Sequence, residues 1–169
     1  LDRTNGQVLA GNPFVKVNWA TGVDLKTGRV VETDVAKRLR AGEQVELQPR
    51  WTGGKNWFPM SFNPNTGKLY MSMIEETAIY QLNKDIPVYK AGERYVGVTN
   101  TTKDRAKGEP WGYFGAVNPM TGKSEWRTPL VEFPSWSGKP VTAGGIVFGG
   151  VPSGEFIAMD EDTGKIMWQ

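Results

Sequence analysis

The chain contains neither cysteine nor histidine in 169 residues. Without cysteine there is no disulfide framework and no thiolate metal site. Without histidine, the usual general base near neutral pH and the commonest transition-metal ligand are both missing. Any chemistry must use carboxylates, lysines, hydroxyls or a borrowed cofactor. Charge of one sign is lacking too: 20 basic side chains stand against 18 acidic ones, a formal net charge of +2. No basic stripe or arginine-rich tract is present, which argues against a nucleic-acid partner. No apolar run reaches the ~20 residues of a membrane span, and no signal-peptide pattern opens the chain. The chain begins LDRTNGQVLA without Met and stops at GKIMWQ, directly after a strand-like stretch. It reads as a piece of a longer protein, so missing address signals say little about the parent.

Turn formers and aromatic residues are plentiful. The 21 glycines, 11 prolines and seven tryptophans describe many short strands rather than helices. A turn of the form Asx-x-x-Thr-Gly-Lys/Arg recurs in DLKTGRV at Asp24, NPNTGKLY at Asn63, NPMTGKSEW at Asn118 and DEDTGKIMW at Asp160. A degenerate copy, DRTNGQVL, starts at Asp2. In each, the Asx side chain is expected to bond the backbone ahead of it and the glycine to take positive φ. Two copies extend further, AVNPMTGKSEW from Ala116 to Trp126 and AMDEDTGKIMW from Ala158 to Trp168, and both fit Ala-x-Asx-x-x-Thr-Gly-Lys-x-x-Trp without a gap. This describes a hairpin whose first strand ends in a small buried alanine and whose second carries an indole. Trp126 and Trp168 are both expected to be buried between neighbouring sheets. A sheet in a radial array cannot bury its faces alone and needs such adhesive contacts. One short helix is expected in TDVAKRLRAGE, with Thr33 or Asp34 as N-cap, a Val35/Leu39 apolar pair and Gly42 as the stop.

Two segments lie outside this repeat. In WTGGKNWFPM, residues 51 to 60, a glycine pair delivers Asn56 and Trp57 side by side. From the residues alone two readings stand: a turn leading a strand and Trp57 into the core, or a loop presenting an amide and an aromatic face to a flat ligand. In FPSWSG, Trp136 is either another sheet-packing indole or a pocket wall. The carboxylate runs MDED at Met159 and IEET at Ile74 supply no complete metal loop, since adjacent residues of a strand point to opposite faces.

The Ala-x-Asx-x-x-Thr-Gly-Lys-x-x-Trp unit resembles the tryptophan-docking motif of the quinoprotein alcohol dehydrogenases, eight-bladed β-propellers that carry pyrroloquinoline quinone. LDRTNG, GGKNWFPMSFNPNTGKLYM, PVYKAGERYVGV, GYFGAVNPMTGKSEW and FPSWSGKPVTAGGIVFGG stand in the order expected of the C-terminal half of that family. The likeness spans nearly the whole chain; Asn118 departs from the more usual Asp, and residues 85 to 108 are less typical. It implies an all-β fold, a partial β-propeller of about three to four four-stranded blades, with no separate second domain over residues 1–169.

By the same resemblance the parent enzyme oxidises a primary alcohol to an aldehyde. An aspartate takes the hydroxyl proton, a calcium or lanthanide ion polarises the quinone, and hydride passes to the quinone carbon. Asn56 would hydrogen-bond the cofactor, Trp57 would help close its chamber, and Trp136 would wall the quinone pocket. The metal ligands and the catalytic aspartate lie upstream of the matched region, so none is assigned here. The implied partners are the remaining blades, the alcohol and a cytochrome c-type electron acceptor, and the implied location is the periplasm. Two other readings share the repeats: a non-catalytic propeller scaffold of the outer-membrane assembly type and a carbohydrate-oxidising quinoprotein. The joint presence of GGKNW and FPSWSG favours the enzyme over the scaffold, and the alcohol-dehydrogenase-like order of the segments argues against the carbohydrate-oxidising quinoprotein.

Overall fold

The computed structural model describes residues 1–130 and 135–169. Phe133 and Pro134 of the FPSWSG segment lie outside the described residues. In chain order the elements are β1 (Ala20–Val23), β2 (Val30–Glu32), α1 (Asp34–Arg40), β3 (Val45–Leu47), β4 (Ser61–Asn63), β5 (Lys68–Ile74) and β6 (Ala78–Leu82). They continue with β7 (Val98–Thr102), β8 (Gly112–Val117), β9 (Ser124–Leu130), β10 (Ile146–Gly150), β11 (Phe156–Asp160) and β12 (Ile166–Trp168).

The strands form a β1-β2 pair, a β3-β6-β7 sheet, a four-stranded β4-β5-β8-β9 sheet and a β10-β11-β12 sheet, and neighbouring strands in each run antiparallel. A bridge from Val141 to Val147 gives the last sheet a reduced fourth strand inside β10. Only three residues separate β5 from β6. The β5–β8 and β6–β7 pairs are therefore one long hairpin that leaves the four-stranded sheet and recruits β3 beyond it. This is the architecture of a partial propeller. The expectation of uniformly four-stranded blades is met in full by the β4-β5-β8-β9 sheet.

All five Asx-Gly turns take one conformation. Gly6, Gly28, Gly67, Gly122 and Gly164 donate their N–H to the carbonyls of Asp2, Asp24, Asn63, Asn118 and Asp160 at 2.8–2.9 Å, with φ between 68° and 77°. In each true repeat the Asx side chain accepts the N–H two residues on, as in Lys26 to Asp24 Oδ1 at 2.8 Å and Met120 to Asn118 Oδ1 at 2.9 Å. These bonds hold the exposed carboxyls of Asp24 and Asp160 below the usual carboxylate range, chiefly through the Lys26 backbone for the first and the Thr163 hydroxyl for the second.

The two eleven-residue repeats superpose in register. Ala116 faces Trp126 with a bulge before Val117, and Ala158 faces Trp168 with a bulge before Met159. Trp126 is 8% exposed. Its Nε1 donates to the Glu161 carbonyl at 2.8 Å, and its ring covers Gly164 of the next sheet. Thr128 seals the same edge with a 2.6 Å bond to the Gly164 carbonyl. Around this dock Tyr70, Phe114, Val147, Ile157 and Met159 form the principal core, between the four-stranded and last sheets. The alternation of β5 turns Met71 and Met73 the other way, onto Val15 and Val117.

Trp168 departs from the expectation. It occupies the position equivalent to Trp126 but is 60% exposed. The physical reason is that Trp126 has the Gly164 turn to cover, whereas among the described residues no neighbouring sheet packs against β12 to receive the Trp168 ring. Helix α1 is the expected surface decoration: seven residues with none buried, Thr33 at the N-cap position, and Gly42 at φ 88° past its end. Thr33 Oγ1 bonds the Asn18 carbonyl at 2.7 Å instead of capping the helix. No helix among the described residues is long and apolar enough to cross a membrane.

Candidate functional site

The loop between β3 and β4 contains the WTGGKNWFPM stretch. Gly53, at φ 75°, closes a turn by donating to the Arg50 carbonyl at 2.8 Å. Gly54 has a different duty: a Cβ there would sit 2.4 Å from Val15 Cγ2. Its carbonyl accepts the Ile74 N–H at 2.8 Å, which docks the loop on the end of β5. Past the glycines the loop is tied to itself. Lys55 Nζ donates to the carbonyls of Asn56 and Phe58 at 2.9 and 2.7 Å. Asn56 Nδ2 donates to the Thr52 carbonyl at 3.0 Å, while its Oδ1 accepts the Trp57 N–H at 2.8 Å.

The residue that enters the core is Phe58, which is fully buried; Trp57 points outward and is 74% exposed. The stretch is therefore a loop that carries Phe58, not Trp57, into the core. Trp136 lies against both aromatics, its ring centroid 6.0 Å from Trp57 and 5.9 Å from Phe58 in tilted and edge-on contacts. At 43% exposure it keeps part of its surface open. Residues about 80 positions apart in sequence thus form one open aromatic surface, with the Asn56 amide at the chain position beside it.

The segment that carries Trp136 alternates. Ser135 and Lys139 are buried while Trp136 faces outward. Ser135 Oγ donates to the Gly150 carbonyl of β10 at 2.8 Å. Ser137 Oγ accepts the Gly150 N–H at 3.0 Å. Beneath them the Lys139 ammonium reaches the Ser137 carbonyl and Oγ at 2.7 Å and the Gly138 carbonyl at 3.2 Å. It also sits 3.9 Å from the centroid of the Phe114 ring. Desolvation drives the Lys139 pKa down to about 7; the three acceptors and the aromatic face favour the charged form and oppose that shift.

The acidic runs are accounted for by packing. Glu75 and Glu76 diverge: Glu75 meets Arg127 at 2.7 Å and Lys16 at 4.0 Å, whereas Glu76 pairs with Arg50. In the MDED run, Asp160 holds its own turn, Glu161 accepts Asn63 Nδ2 at 3.0 Å, and Asp162 pairs with Lys68 at 2.9 Å. No group of three acidic side chains able to hold a metal occurs among the described residues.

Of the residues singled out by sequence, Trp57 and Trp136 are brought into contact and Asn56 is pinned next to them. Phe58 and Lys139 were not singled out. The fully apolar Phe58 beside an outward Trp57 had no periodic signal, because the loop follows neither a strand nor a helix repeat. The Ser-Trp-Ser-Gly-Lys alternation did carry a signal, since odd positions face one side of an extended segment. The arrangement fits a flat ligand with polar edges. Two open indole surfaces offer ring contacts, and Asn56, oriented by its own loop, retains a second amide N–H to donate.

The chain spans 24–29% of the length of the curated relatives it matches. It is 35% identical over 175 aligned residues to the quinoprotein alcohol dehydrogenase PedH of Pseudomonas putida, covering all of this chain and 29% of that protein. It is 35% identical over 171 residues to the lanthanide-dependent methanol dehydrogenase of Methylacidiphilum fumariolicum, covering all of this chain and 28% of the relative. Among solved structures, a europium-containing methanol dehydrogenase matches with a TM-score of 0.89 at 36% identity, over 100% of this chain and 29% of its own. The quinohemoprotein alcohol dehydrogenase of Comamonas testosteroni matches with a TM-score of 0.82 at 30% identity, over 98% of this chain and 25% of its own. No family model matches the chain.

Proposed function

Because the chain is homologous, over its whole length, to one section of the quinoprotein alcohol dehydrogenases, we propose that residues 1–169 form a continuous stretch of one propeller and supply one wall of a pyrroloquinoline quinone site. The observation that carries the reading is the contact between Trp57 and Trp136 at 6.0 Å beside Asn56. Packing of the four-stranded and last sheets does not require this surface, whose indoles are left open. A propeller serving only as an interaction scaffold has no use for a pre-oriented amide next to paired indoles.

When bound, the quinone supplies the two-electron sink for oxidation of a primary alcohol to an aldehyde. The chain's own residues bind and orient. Asn56 donates its remaining amide N–H to a polar edge of the quinone without adding charge. Trp136 presents its indole to the cofactor, and Trp57 covers the neighbouring side and excludes water. Phe58 backs Trp136 from the core, and Lys55 holds the Asn56 and Phe58 carbonyls so that the loop keeps its shape. The proton acceptor and the calcium or lanthanide ligands belong to other parts of the protein. With those missing, the 169 residues alone do not turn over. The parent is a periplasmic enzyme that passes electrons to a cytochrome c-type acceptor, a reading that rests on the family resemblance.

The test is quinone titration of the apo form of the intact protein. Asn56→Ala should weaken binding by about 1–3 kcal/mol, the penalty for an unpaired polar group. Trp126→Ala, which removes a docking contact between sheets, should lower the melting temperature first and quinone affinity only in proportion. Wild-type quinone affinity in Asn56→Ala would remove Asn56 from the site and leave the fold untouched.

A further inference from the structure

Lys139 is the one lysine of the chain buried to 1% exposure, and among the described residues no carboxylate pairs with it. Burying an amine without a counter-ion is unfavourable, and a methionine would fill the same space without that penalty. Its surroundings indicate what the amine does. The stem packs against Gly149 of β10, where a Cβ would stand 3.2 Å from Lys139 Cδ and Cε. The head reaches back along its own segment to the Ser137 and Gly138 carbonyls and to Ser137 Oγ. At the other end, Ser61 Oγ of β4 donates to the Lys139 carbonyl. The residue thus joins three pieces of structure directly behind Trp136: β4, β10 and the extended segment itself. Trp136 lies between the two serines anchored to Gly150, three residues from the amine.

We infer that Lys139 is a positioning residue for the quinone site, holding the Ser135–Gly138 segment from beneath so that Trp136 stays against Trp57 and Phe58. The inference rests on the site reading given above. The ammonium donates three hydrogen bonds to one short stretch and closes it into a rigid turn; methionine in its place leaves two buried carbonyls without that donor. A neutral amine donates only two. The position of Trp136 therefore follows the charge on Lys139, which changes near neutral pH. Among the described residues, the elements packed around the amine bring no competing charge: β8 presents Phe114, β10 presents Gly149 and Gly150, and β4 presents the Ser61 hydroxyl.

The experiment uses the intact protein, with pyrroloquinoline quinone as the probe. Near-UV circular dichroism isolates the Trp57–Trp136 signal as the part that Trp136→Phe abolishes. In wild type this part should titrate between pH 6 and 8; in Lys139→Met it should be reduced and independent of pH. Quinone affinity at pH 7 should fall about tenfold in Lys139→Met, the loss of one charged hydrogen-bonded contact, while the melting temperature stays level or rises. If Lys139→Met fails to fold, Ser137→Ala removes one of the same acceptors and should diminish the same aromatic signal. A Lys139→Met protein with wild-type quinone affinity and an unchanged aromatic signal would overturn the inference. The site reading is judged separately: if Trp136→Phe itself leaves quinone affinity unchanged, that reading fails, whatever Lys139 does.

Discussion

The docking of one sheet on the next turns on a single glycine, and the chain contains its own control. Gly164 and Gly67 occupy the same position of the same turn, at φ 70° and 68°, each donating to the Asx carbonyl four residues back. Alanine at either site suffers the left-handed backbone penalty of about 1–2 kcal/mol. There the likeness ends. A Cβ at Gly67 meets nothing within 4 Å, whereas at Gly164 it lies 2.3 Å from Trp126 Cε3 and 2.9 Å from Thr128 Oγ1. The indole ring cannot compress, so it must leave. Overpacking of this kind costs about 1–3 kcal/mol, and loss of the Trp126 bond to the Glu161 carbonyl adds about 1 kcal/mol. Gly164→Ala should therefore destabilise the intact protein by roughly 2–4 kcal/mol more than Gly67→Ala, read as urea midpoints at constant m-value. In a Trp126→Ala background the obstacle is gone, and the two glycine substitutions should converge. Equal losses in the wild-type background, or no coupling to Trp126, would refute the claim that the indole docks on this turn.

Two further outcomes are expected. The Lys139 pKa lies near 7 in the folded protein against 10.5 for the free side chain, so the unfolded chain binds more protons between those values. Stability must then rise with pH across that window, by at most about 5 kcal/mol. Urea melts from pH 7 to 9.5 should show this slope in wild type and its loss in Lys139→Met; parallel slopes would mean the amine is not desolvated. The second outcome concerns the last sheet, whose β12 leaves Trp168, Met167 and Ile166 exposed. The 169-residue chain expressed alone should self-associate at micromolar concentration through this apolar face, and Trp168→Gln should weaken the association. Sedimentation of a well-behaved wild-type monomer would contradict this.

What the sequence determined by itself was local. The five Asx-Gly turns close through bonds spanning four residues, and glycine is the residue that takes φ near +70° without strain, so their conformation follows from composition at fixed spacing. The two hairpins likewise share register and bulge because their eleven residues match. Helix α1 was legible from its apolar pair and the glycine beyond it. Other features were decided only by tertiary structure. Trp126 and Trp168 are the same residue in the same hairpin, yet one is buried and the other exposed, because burial depends on whether a neighbouring sheet is present to receive the ring. Trp57 and Phe58 are adjacent aromatics of one loop, and only the folded chain, docked where Gly54 meets Val15, buries Phe58 and leaves Trp57 exposed. Lys139 looked like any surface lysine; its burial came from the space over Phe114 and Gly149, two strands that only the folded sheets bring together. The candidate site follows the same division, since the residue types that could hold a flat ligand are written in the chain, while the meeting of Trp57 with Trp136 arises where the β3–β4 loop and Ser61 meet the extended segment before β10.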